Sequence, residues 1–197
     1  MPSKRSRELW TQFVQEGKKK PASVDPAEIS RPGMPFLGTV LGVDPSLRGT
    51  GLAIVEVHSG TKLTLIASCR VHLKSKVPFA QCLACINENV EHMLNEHPVD
   101  HVALEQTIYV QNFQTAQILG AARGAAIAAA GRQGKPVFEY PPLRIKQAIV
   151  GFGRASKEQV SGMLDQLLKT EKALSLDESD AAGAAVCHAL TYREESS

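Results

Sequence analysis

Leu37-Gly38-Thr39-Val40-Leu41-Gly42-Val43-Asp44-Pro45-Ser46-Leu47-Arg48-Gly49-Thr50-Gly51 decides how the chain is read. An apolar strand ends on a carboxylate, a turn rich in Pro, Ser and Gly follows at once, and a second apolar run, 52–57, leads away. An aspartate at the end of a buried strand is costly unless a positive group lies beside it. A metal ion is the commonest such group, and it needs further carboxylates.

Outward from this stretch, runs at 37–44, 51–58 and 62–73 predict three strands, with Thr50-Gly51 and Ser59-Gly60 as turn signals between them. Connections this short favour antiparallel hairpins. The pattern then predicts a helix over 79–96, a short strand over 100–105 and a long helix over 112–132. A strand over 137–140 follows, then helical segments over 141–150 and 157–169 and a last helix from 175–179 to near Tyr192. A meander followed by strands alternating with helices predicts an α/β fold, a mixed five-stranded sheet with helices on both faces.

At 197 residues, the chain fits one domain with an appendage. The domain is expected over 37–197. Residues 1–36 read as an N-terminal extension: a short amphipathic helix over 6–16 carrying Leu9, Trp10, Phe13 and Val14, the run Lys18-Lys19-Lys20, and a linker containing Pro21, Pro26, Pro32 and Pro35. No apolar run reaches the ~18 residues of a membrane helix. No signal-peptide core follows the basic N-terminus, so a cytoplasmic protein is expected. Cys82 and Cys85 form a C-x-x-C, but they share a helical pattern with Phe79, Leu83, Ile86 and Val90, and no second pair completes a zinc site. They read as reduced core cysteines.

Charge is unevenly spread. The whole chain carries +2, yet 123–157 holds Arg123, Arg132, Lys135, Arg144, Lys146, Arg154 and Lys157 against one acid, Glu139. That suits either a polyanion-binding face or a solvated basic surface.

The acids are more telling. Asp44 and Glu105 end strands that, as parallel neighbours, bring their C-terminal ends to one sheet edge. Asp177 and Asp180, three residues apart, share a helical face. If that helix begins over the same edge, four carboxylates converge. They suit two hard divalent cations ~3.5–4 Å apart, one activating water and the other stabilising the leaving 3′ oxygen of a phosphodiester. Each acid also has a plainer reading: a turn cap at Asp44, a surface residue at Glu105, helix-start acids at Asp177 and Asp180, with Glu178 competing for that role.

Six segments in register complete the picture: Leu41-Gly42-Val43-Asp44-Pro45 with Thr50-Gly51; Ala103-Leu104-Glu105-Gln106; Leu119-Gly120-Ala121-Ala122-Arg123-Gly124; Pro136-Val137-Phe138-Glu139-Tyr140; Ile145-Lys146-Gln147-Ala148-Ile149-Val150-Gly151; and Asp177-Glu178-Ser179-Asp180-Ala181-Ala182. With them, residues 37–191 resemble the RuvC family of Holliday junction resolvases, within the RNase H-like (retroviral integrase) superfamily. The resemblance implies an endodeoxyribonuclease of DNA recombination and repair that nicks two strands of like polarity in a four-way junction. It implies two Mg²⁺ per subunit, with Mn²⁺ able to substitute. By position, Asp44, Glu105, Asp177 and Asp180 match the family's catalytic and metal-binding acids, and Lys146 and Lys157 match basic residues close to the cut. Arg123, Arg144 and Arg154 are further DNA-contact candidates from the basic window.

A homodimer is also implied. Gly120, Ala121, Gly124, Ala125 and Ala128 offer either a close-approach face for it or a surface that packs on the sheet. A branch-migration helicase complex is a candidate partner, and the bacterial cytosol at the nucleoid is the expected location. Two departures stand out. The family commonly carries a junction-wedging aromatic two residues after the position of Gln106. Here that residue is Ile108, followed by Tyr109, so one or the other is expected to stack or wedge. Ser46 replaces the glycine usual after Asp-Pro. Two rival readings are a non-catalytic junction-binding protein and an actin or sugar-kinase type nucleotide-binding protein. The second rests on the likeness of 44–51 to a phosphate loop, and the chain is too short for the second domain it needs.

Overall fold

The computed structural model describes residues 34–59, 62–106, 112–170 and 172–194. The expected helix over 6–16, the lysine run, Pro21, Pro26 and Pro32, and both Ile108 and Tyr109 lie outside these residues. In chain order the elements are β1 (Met34–Pro35), β2 (Gly38–Asp44), β3 (Gly49–Ser59), β4 (Lys62–His72), α1 (Phe79–Glu96), β5 (His101–Glu105), α2 (Phe113–Arg132), β6 (Val137–Tyr140), α3 (Pro142–Val150), α4 (Lys157–Leu168), α5 (Leu176–Thr191) and β7 (Arg193–Glu194). The main sheet runs β4-β3-β2-β5-β6. The pairs β2–β3 and β3–β4 are antiparallel, while β2–β5 and β5–β6 are parallel. The mixed five-stranded sheet is therefore present, with β2 at its centre.

Alternation along the strands divides the core between two faces. Leu41 and Val43 join Leu52, Ile54, Val102 and Leu104 against α1 and α2, meeting Ile86, Val90, Ala122 and Ala126. Val40 joins Ala53, Val55 and Ala103 on the other face, against Ile145, Leu164, Ala181 and Ala185. Because both faces are covered, the strands read as nearly continuous apolar runs. Asp44 is in step with Val40 and Gly42, and Glu105 with Ala103, so both acids fall on the face that α5 covers.

Helix α5 is the most enclosed of the helices, buried at every position from Ala181 to Ala189. Its approach depends on two glycines. A Cβ at Gly42 would lie 1.9 Å from the Ala181 carbonyl oxygen, and one at Gly51 would lie 1.8 Å from that of Asp177. This corrects the reading of Thr50-Gly51 as a turn. Both residues lie within β3, where Gly51 pairs with Asp44. The turn is 45–48, closed by Ser46: its hydroxyl accepts from the Gly49 amide at 3.1 Å, and its carbonyl accepts from the Thr50 hydroxyl at 2.6 Å. A second difference concerns Pro35, read as linker. Met34 and Pro35 pair with Glu194 and Arg193 in a two-stranded ribbon, a pairing between distant residues that no local pattern announces.

The cysteines are free, with Cys82 buried and Cys85 half-buried on α1, as a reduced core requires. On α2 the buried positions are Ala122, Ala126, Ala129 and Ala130. Gly120, Gly124 and Ala128 are exposed, and Ala121 and Ala125 are half-buried, so the small-residue face is largely outside the core.

Candidate active site

Two strands and one helix deliver the acids. Val43 pairs with Leu104, which sets Asp44 and Glu105 side by side at the C-terminal ends of β2 and β5. Helix α5 begins over that edge. Its start is fixed by a capping box in which the Ser175 hydroxyl accepts from the Glu178 amide and the Glu178 carboxylate accepts from the Ser175 amide. Glu178 also accepts from the Ser68 hydroxyl on β4 at 2.8 Å. It is thus the helix-start acid, leaving Asp177 and Asp180 to face the edge. Asp44, Glu105, Asp177 and Asp180 line one cleft of about 460 Å³, together with Lys146 and Lys157.

Electrostatics set this cleft apart. Burial, then the charges of Asp180, Glu105 and Asp177, push the Asp44 carboxyl up to about 7, partly offset by Lys157. Burial and the Asp180 charge also raise Glu105, against the pull of Lys157 and Lys146. Acids crowded in this way hold their charge readily only when a cation joins them. An all-carboxylate donor set is the chemistry a hard divalent cation prefers, so the residues fit such an ion.

The side chains are held by partners of the chain itself. Among the described residues, no three His, Cys, Asp or Glu side chains close on one point as ligands of a single ion. Asp180 accepts from the Lys157 ammonium at 3.2 Å, a contact that raises the lysine's pKa. Asp177 is ion-paired with Arg70 of β4. The Lys146 ammonium donates to the Ala155 carbonyl at 2.9 Å, which ties it to the segment just before α4.

Three arginines of the basic window stand apart from the cleft lining. Arg123 is ion-paired with Glu139, the one acid of that window. Glu139 pairs with Leu104, which puts it on the α1–α2 face, opposite Asp44. The Arg144 guanidinium lies 5.7 Å from the centre of the Tyr140 ring. Arg154 is exposed between α3 and α4.

The sequence reading missed three features that shape the site. Gly42 and Gly51 admit α5, and Arg70 meets Asp177. The third is a buried polar chain that holds the far end of α5 to the sheet. Tyr140 and His188 hydrogen-bond at 2.6 Å, and His188 and His101 at 2.9 Å. Phe36, Phe138 and Tyr192 pack their rings around His188. Burial, reinforced by His101, lowers His188 to about 3, so it is neutral in the fold. No local signal marks the two hydrogen bonds, since each joins residues more than 40 positions apart in sequence.

Comparison with known proteins bears on this geometry. The sequence model described as Crossover junction endodeoxyribonuclease RuvC matches residues 40–188. A Geobacter sulfurreducens protein, Crossover junction endodeoxyribonuclease RuvC, is 43% identical over 150 residues, covering 76% of this chain and 91% of its own length. A Trichlorobacter lovleyi protein of the same name is 42% identical over 154 residues, covering 78% and 86%. Among solved structures, T. thermophilus RuvC in complex with Holliday junction substrate superposes with a TM-score of 0.74 at 30% identity, covering 79% of this chain and 94% of that one.

Proposed function

The chain belongs to the crossover junction endodeoxyribonuclease RuvC family, and from that premise we propose that Asp44, Glu105, Asp177 and Asp180 are the catalytic acids with which it nicks four-way DNA junctions. The observation that carries this is the convergence of those four acids and two lysines on one cleft at the C-terminal edge of β2 and β5.

Metal-dependent hydrolysis fits the donor set. Two Mg²⁺ per subunit, replaceable by Mn²⁺, would be held by the four acids, with Asp44 central. Bound there, they would supply Lewis-acid stabilisation of the phosphodiester and a lowered pKa for the attacking water. The chain's own groups do the rest. Lys146, braced on the Ala155 carbonyl, presents its ammonium to the scissile phosphate. Lys157 donates to Asp180 and keeps a second positive charge at the cleft mouth. Both charges oppose the extra negative charge that develops on the phosphate during attack. Arg144 and Arg154 would contact flanking phosphates, which position the DNA without reading its sequence. Arg123 is a weaker candidate because Glu139 already neutralises it. Ile108 or Tyr109 would serve as the wedge that opens the junction.

Two symmetric nicks call for two identical sites, so the working species is a homodimer, with the exposed small-residue face of α2 as the contact. A branch-migration helicase complex would supply and move the junction. The extension expected over 1–36 would end before Met34, since Met34–Phe36 pair and pack with the nuclease domain expected over 37–197. Among the described residues no helix is long and apolar enough to cross a membrane, and action on chromosomal DNA suits the cytoplasm at the nucleoid.

The test incubates the protein with a synthetic four-way junction and a linear duplex of the same sequence, with and without Mg²⁺. Paired nicks in the junction alone, only with the cation, are expected. Equal nicking of the linear duplex, or nicking in EDTA, contradicts the proposal.

A further inference from the structure

Across the sheet, Asp44 pairs with Gly51 and Gly51 with Arg70. Residues directly opposite in antiparallel strands project to the same face. Arg70 and Asp44 therefore share the α5 face, two strands apart, with no side chain between them. The backbone of Asp177 fills that gap, and its carboxylate, at the margin of the cleft, is ion-paired with the Arg70 guanidinium. Gly49 makes room for the contact: a Cβ there would lie 3.0 Å from the Asp177 carboxylate and 3.6 Å from a terminal nitrogen of Arg70. Asp177 is three-quarters enclosed while Arg70 is 46% exposed, so the anion is the fixed partner and the cation the exchangeable one. Asp180 has a cation as well, but Lys157 lines the cleft itself, whereas Arg70 holds its partner from outside.

We propose that Arg70 is a positioning residue that acts as an internal counter-ion for Asp177, competing with divalent cations for that carboxylate and so setting the metal concentration at which the site fills. The inference rests on the reading of the four acids as metal ligands. A guanidinium on one acid lowers cation affinity twice, by occupying a ligand and by placing a like charge near the ion. Removing it tightens binding. The exchange is modest because the pair is half-exposed.

The test measures Mn²⁺ binding to the full chain without DNA, by calorimetry, for wild type, R70Q, R70K, R70Q/D177N and D44N. R70Q is expected to bind Mn²⁺ roughly three- to tenfold more tightly than wild type. R70K should stay within about twofold of wild type, because it keeps the charge, and the gain should vanish in R70Q/D177N, because the freed ligand is gone. Unchanged or weaker binding by R70Q overturns the proposal, as does a gain that persists without the Asp177 carboxylate. D44N separates the two levels. If D44N weakens binding while R70Q leaves it unchanged, only the role of Arg70 fails. If D44N binds as wild type does, the metal-ligand reading fails and the proposal with it.

Discussion

Gly51 stands directly opposite Asp44, and the carbonyl of Asp177 occupies the space a side chain at Gly51 would need. One residue without a Cβ thus lets two acids, 133 positions apart in the chain, meet at the sheet edge. Gly51→Val is predicted to lift the start of α5, because the obstruction is backbone rather than a side chain that can rotate away. Overpacking of this kind costs about 1–3 kcal/mol or more. Thermal melts should fall by several degrees, and junction nicking should fall further than stability does.

Asp44 is a liability to the cation-free fold. Its folded-state pKa of about 7 lies above the ordinary 3.8. A raised carboxylate pKa means stability present at low pH is lost as pH rises from about 4 to about 7. In EDTA, Asp44→Asn should therefore be more stable than wild type above pH 7, by roughly 2–4 kcal/mol, with the difference vanishing near pH 4. Urea melts across that range check the sign.

At the other end of α5 the sign reverses. His188 is buried neutral, with its pKa lowered to about 3 from 6.5. Its contribution is complete above about pH 6.5 and lost as pH falls toward 3. Tyr140→Phe removes the partner of His188 Nδ1 and should destabilise the protein by about 1–3 kcal/mol at neutral pH. Denaturant melts of both proteins at pH 7 and pH 4 measure the two effects.

Arg123 serves as a contrast. Its charge is spent on Glu139, on the sheet face away from the acids. Arg123→Ala should leave the single-turnover nicking rate within about twofold and lower stability by no more than about 1 kcal/mol. A kinetic assay on the four-way junction beside a thermal melt checks both.

How far the sequence speaks depends on range. The apolar run Val40–Val43 is local, so the strand and the acid that ends it could be read from residue types, whereas a strand buried on both faces does not show which face carries Asp44. The same holds for Ser156 and Ser175, whose capping boxes are built within four residues. Gly51 was legible as a glycine but not as a contact, because the Asp177 backbone it accommodates arrives from the far end of the chain. Arg70 carried no motif. Its partner is defined only once β4, β3 and β2 are in register. The aromatic setting of His188 and the β1–β7 ribbon stayed hidden for the same reason: each needs the fold before its residues are neighbours.

The catalytic role of the cleft depends most directly on Asp44. Measured side by side, the junction affinity and single-turnover nicking rate of Asp44→Asn at saturating Mg²⁺ test it. The predicted result is binding within about threefold of wild type and a nicking rate lower by about a thousandfold or more, as expected when a central ligand of the catalytic ions is lost. A nicking rate within about tenfold of wild type would contradict the assignment of Asp44 and, with it, the catalytic reading of the cleft.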